Sequence, residues 1–140
     1  MNIQDQLNEA IGDEKIDLVR SILEDGADPN GLSRHTETPL MAAAECESEE
    51  ILEFLLSCGA EINMSGHEGN TPLHIAVDIS IDGTIQSGGA PGDEPVNVIK
   101  VLLNNGADLN AKNNKGETPL DWARDYKSKK VIEVLNSENS

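Results

Sequence analysis

Thr-Pro-Leu occurs three times in this chain, at Thr38-Pro39-Leu40, Thr71-Pro72-Leu73 and Thr118-Pro119-Leu120. The intervals between copies, 33 and then 47 residues, constrain the fold more than any other feature. A second marker keeps the same intervals. Gly26-Ala27-Asp28-Pro29-Asn30, Gly59-Ala60-Glu61-Ile62-Asn63 and Gly106-Ala107-Asp108-Leu109-Asn110 are also 33 and 47 residues apart. The third unit therefore holds 14 extra residues, after which the register resumes. A fixed period of this size marks an array of supersecondary units, none able to bury its apolar face alone and each completed by its neighbours.

The local pattern within each unit is helical. Leu7, Ala10 and Ile11 form one apolar stripe, Gly12-Asp13 breaks it, and Ile16, Leu18, Val19, Ile22 and Leu23 form a second that stops at Gly26. In the next unit Thr38 caps a helix, Pro39 occupies its first turn, and the small residues of Met41-Ala42-Ala43-Ala44 allow neighbouring helices to approach closely. Glu47-Ser48-Glu49-Glu50 then opens an outer helix with negative charge at its N-terminus, and Gly59 supplies a left-handed stop. The expected architecture is all-α, a solenoid of four helix-turn-helix units at about 3–30, 31–64, 65–110 and 111–137. The first and last units are expected to act as caps, and the insertion is placed at 80–93. The near absence of rings agrees, since Phe54, Trp122 and Tyr126 are the whole aromatic set and stacked helix pairs pack with Leu, Ile and Ala. The insertion admits two readings. Either the inner helix ends near Ile79 and a structured loop follows, which the register favours, or Asp82-Gly83 turns a small hairpin over 77–87.

The Thr71-Pro72-Leu73-His74-x-Ala76 core at a period of 33 resembles the ankyrin-repeat family, over about Leu7 to Leu135. That resemblance implies a curved array whose partners bind the concave side, made by projecting turns and inner helices. Carried over by position, it names Arg34, His35, Glu37, His67, Glu68, Asn70, Asn114, Lys115 and Glu117 at the turns. At the ends of the inner helices it names Glu45, Cys46, Asp78, Ile79, Asp125 and Tyr126. Within the insertion, Ile81, Asp82, Ile85 and Gln86 are further candidates. Trp122 is expected in the core and Tyr126 as the better anchor, while His74 is expected to hydrogen-bond between turns. Thr36 stands where later turns carry Gly69 and Gly116, a departure that bears on the shape of that turn.

Charge narrows the partner. The net charge is -16, with 20 acidic and 3 basic residues over 1–99 and no lysine or arginine between Arg34 and Lys100. Such a field repels nucleic acid and anionic membranes and attracts a basic protein. With a polar start and no long apolar run, the expectation is a cytoplasmic protein, monomeric when free, with Cys46 and Cys58 as reduced thiols. No phosphate loop, nucleophile elbow or zinc spacing is present, so no enzyme activity and no cofactor are expected. His35 and His67, with Cys46 nearby, read as surface residues rather than a metal pair. Asp78-x-Ser80-x-Asp82-Gly83-x-Ile85 matches the front half of a calcium loop, but Gly89 stands where the bidentate glutamate belongs. The function expected from these features is a stoichiometric binder or inhibitor of a basic protein, foremost an immunity protein neutralising a toxin. The alternatives are a cytosolic scaffold or kinase-type inhibitor and, more weakly, a calcium-responsive module.

Overall fold

The computed structural model describes residues 2–87, 96–125 and 129–138, with the backbone alone at 81–87, 129–130 and 137–138. The described residues form helices and no strand. In order these are α1 (Ile3–Gly12), α2 (Ile16–Glu24), α3 (Pro39–Glu45), α4 (Glu49–Ser57), α5 (Pro72–Ser87), α6 (Asn97–Asn104), α7 (Pro119–Asp125) and α8 (Lys129–Glu138), with a short 3-10 turn at His67–Gly69. Consecutive helices pair as α1 with α2, α3 with α4, α5 with α6 and α7 with α8. The inner helices α1, α3, α5 and α7 stack in one row, and the outer helices α4, α6 and α8 in another.

The period reappears as burial. Leu7, Leu40 and Leu73 hold equivalent positions and are buried, and Ala10, Ala43, Ala76 and Ala123 form a buried small-residue column in the inner row. Ile22, Leu55, Leu102 and Leu135 do the same in the outer row. Leu18 breaks the series: its equivalents Ile51, Val98 and Val131 are buried, whereas it is 46% exposed. The helix ends follow the expected chemistry. Thr38 Oγ1 accepts the Met41 N–H at 3.2 Å, Ser48 Oγ accepts that of Ile51 at 3.3 Å, and Gly26, Gly59 and Gly106 all have positive φ.

Helix α5 corrects the reading of the insertion. It runs 16 residues to Ser87, so neither a loop after Ile79 nor a hairpin at Asp82-Gly83 forms. An inner helix already nucleated by Pro72 and packed on α3 and α7 propagates at little cost. One interior glycine opposes it by only about 1 kcal/mol, and no proline occurs between Pro72 and Pro91. The remainder of the insertion, 88–93, lies outside the described residues. The same helix removes the calcium reading, because that motif needs a turning loop to wrap its alternate oxygens around one ion, and these positions are helical.

Candidate partner-binding face

Three turns precede α3, α5 and α7, and they are built alike. Ser33 N–H donates to Glu37 O and Thr36 N–H to Ser33 O; Gly66 and Gly69 repeat the pattern with Asn70, and Asn113 and Gly116 with Glu117. The residue closing the inner bond is left-handed each time, with φ 55° at Thr36 and 76° at Gly69 and Gly116. Thr36 therefore keeps the shape of the turn despite its side chain. The turns stack on one another: Asn114 N–H donates to Glu68 O at 2.9 Å, and a Cβ on Gly69 would lie 2.5 Å from Asn114 Oδ1.

This geometry sorts the candidates from the sequence. Arg34, His35, His67, Glu68, Asn114 and Lys115 are exposed at the tips. The position shared by Glu37, Asn70 and Glu117 turns inward. Asn70 is only 6% exposed and its Oδ1 accepts from Asn113 Nδ2 at 2.9 Å, so it braces two turns rather than facing a partner. Glu37 and Glu117 are half-buried. Glu37 meets Glu45 from the end of α3. Burial first, then a hydrogen bond to Glu45 and its charge, push the Glu37 carboxyl up to about 7. Arg34 lies 3.8 Å from the Asp5 carboxylate, and a cavity of about 240 Å³ opens among Asp5, Asn8, Glu9, Ser33, Arg34, His35 and Glu37.

His74 takes the expected role. Its Nδ1 accepts the Thr71 N–H at 3.1 Å and its Nε2–H donates to Glu117 O at 2.9 Å, so the imidazole is neutral, and burial pulls its pKa down. The Cys46 thiol donates to Ile11 O and Ala43 O, and burial raises its pKa. Among the described residues no group of His, Cys, Asp and Glu converges in a way that could hold a metal ion.

A second cavity, of about 320 Å³, lies between α5 and α7 and is lined by Asp78, Glu117, Trp122 and Asp125. Trp122 packs against the core as expected but is only half-buried, with its ring edge-on to His74 at 5.1 Å between centroids. The sequence favoured Tyr126 over Trp122 as an anchor; Tyr126 lies outside the described residues. Ile79 is half-buried beside Asp78 on α5. Ile81, Asp82, Ile85 and Gln86 lie on the last turns of α5, and their side chains are outside the described residues. No described helix is long and apolar enough to cross a membrane.

Residues 7–82 match the family described as ankyrin repeats (3 copies), and residues 68–114 match the single ankyrin repeat. Among curated proteins, an ankyrin repeat-containing protein of Schizosaccharomyces pombe is 32% identical over 51% of this chain and 35% of its own length. NF-kappa-B inhibitor alpha of Gallus gallus is 36% identical over 44% of this chain and 19% of its own length. Ankyrin repeat and SOCS box protein 16 of Homo sapiens is 38% identical over 50% of this chain and 16% of its own length. The chain thus spans about a third or less of each of these relatives.

Proposed function

The chain belongs to the ankyrin-repeat family, a family of protein-protein interaction modules, and we propose that it binds a basic protein stoichiometrically on its concave face without catalysing a reaction. The observation that carries this reading is where the acid falls. Glu45, Glu68 and Asp125 are exposed, and Glu37, Asp78 and Glu117 are half-buried beside them, along the turns and inner-helix ends. A cytoplasmic inhibitor of the immunity-protein kind, neutralising a basic toxin, is the finer form of the proposal, supported by the sign of the charge and the interrupted third unit. The name of one relative, NF-kappa-B inhibitor alpha, provides a precedent for inhibition within the family and supports the second form, a cytosolic inhibitor of a different target.

Affinity capture from a native lysate at low salt tests the proposal, with a second bait lacking residues 80–93. Recovery of one basic protein by the intact bait alone supports a dedicated inhibitor. Recovery of many unrelated proteins by both baits supports a general scaffold instead.

A further inference from the structure

The cavity between α5 and α7 differs in kind from the rest of the concave face. Asp78 and Asp125 occupy the same position in successive units, as does Glu45 one unit earlier, so a carboxylate there belongs to the repeat. The ring does not. Trp122 stands where the earlier units have Ala42 and Ile75, and Glu117 stands where the preceding turn has the buried Asn70. At the junction of the third and fourth units one aromatic wall meets three carboxylates around an open volume of about 320 Å³.

The wall is held before anything enters. His74 is clamped through both ring nitrogens, by Thr71 N–H and Glu117 O, and its ring meets that of Trp122 at 73°. Among the described residues neither Glu117 nor Asp125 makes an ion pair; Glu117 Oε1 accepts from Asn113 Nδ2 at 3.3 Å.

We infer that this cavity receives the guanidinium of an arginine side chain presented by a protein partner, stacked on Trp122 and met by Asp78, Glu117 and Asp125. The inference rests on the reading of the concave face as the surface for a basic protein and names the group that this junction selects. Arginine fits better than lysine because a flat cation can lie against the indole while its in-plane N–H groups reach carboxylates on two elements. An ammonium offers a point charge that satisfies the ring or the carboxylates less completely. The chain already pairs such groups on its outer side, where the Arg20 guanidinium sits 5.2 Å from the centre of the Phe54 ring.

Trp122 is the only tryptophan, so its emission reads this cavity directly. The probes are three blocked tripeptides, glycine-X-glycine, with X as arginine, lysine or citrulline, the last having the shape of arginine without its charge. The arginine peptide is expected to change Trp122 emission saturably, the lysine peptide to bind about five-fold more weakly, and the citrulline peptide to do nothing. Asp125→Asn, at an exposed position that leaves the packing intact, is expected to weaken the arginine peptide about five-fold. Equal responses to arginine and citrulline, an unaltered affinity in Asp125→Asn, or no saturable change overturns the inference. Equal affinity for lysine overturns the guanidinium assignment. A captured basic protein that binds wild type and Asp125→Asn equally well also overturns the cavity while sparing the concave-face reading. An arginine response with no basic protein captured does the reverse.

Discussion

Individual residues carry two kinds of tension in this chain, one in the backbone and one in charge. Thr36 is left-handed at φ 55° in a turn where its counterparts are glycines. Thr36→Gly is expected to raise stability by about 0.5–1 kcal/mol in urea unfolding. Gly69→Ala at the equivalent position is expected to lower it by more than 1 kcal/mol, because a Cβ there meets Asn114 N at 2.9 Å as well as its side chain. The charge tension lies in Glu37. Its carboxyl is raised from 4.5 to about 7, so the folded state holds a proton that the unfolded state has released. The stability this contributes is full below about 4.5 and is lost as pH rises through about 7. His74 works in the opposite sense. Its pKa is lowered from 6.5, so its contribution is present above that value and is lost as pH falls through the folded one. Glu37→Gln, which stays neutral, is expected to match wild type near pH 5 and to exceed it at pH 8, while leaving the acid side of the profile unchanged. Unfolding midpoints at pH 5, 6, 7 and 8 read both arms.

Among the elements, α5 departs most from its counterparts. The inner helices α3 and α7 are 7 residues long, whereas α5 has 16 and carries Gly83 in its last turns. Gly83→Ala is expected to stabilise the chain by about 0.5–1 kcal/mol and to increase its helical circular dichroism signal, since alanine is the better helix former. A loss of stability instead would place a turn at Asp82-Gly83. The long helix also explains why the register resumes after the insertion. The first extra residues lengthen an inner helix docked on α3 and α7, and α6 still packs between α4 and α8 as an ordinary outer helix.

For the whole molecule, the net charge of -16 makes association with a basic partner a test of the field as well as of contacts. The association rate is expected to fall at least ten-fold between physiological salt and 1 M, as the screening length shrinks from about 8 Å to about 3 Å. Stopped-flow mixing with the captured partner measures it, and equal rates at both salts sink the steering idea. The array itself was legible in the sequence because repetition is a local signal. Thr38, Ser48 and Gly59 cap and stop helices through bonds within a few residues, and each buried column recurs at the same offset. The exposed tips at Arg34, His35, His67, Glu68 and Lys115 follow from the same register. The end of α5, the inward turn of Asn70 and the place of Trp122 were not legible. Helix extension competes with a turn signal by about 1 kcal/mol, too little for the local sequence to decide. Asn70 and Trp122 lie at positions that the repeat defines, but Asn113 and His74, 43 and 48 residues away in the chain, decide which way each side chain faces. Period, helices, caps and charge were thus determined by the sequence alone, since they rest on near neighbours. The tertiary structure decided which carboxylates meet and which ring faces an open cavity, since both depend on groups brought together only by folding.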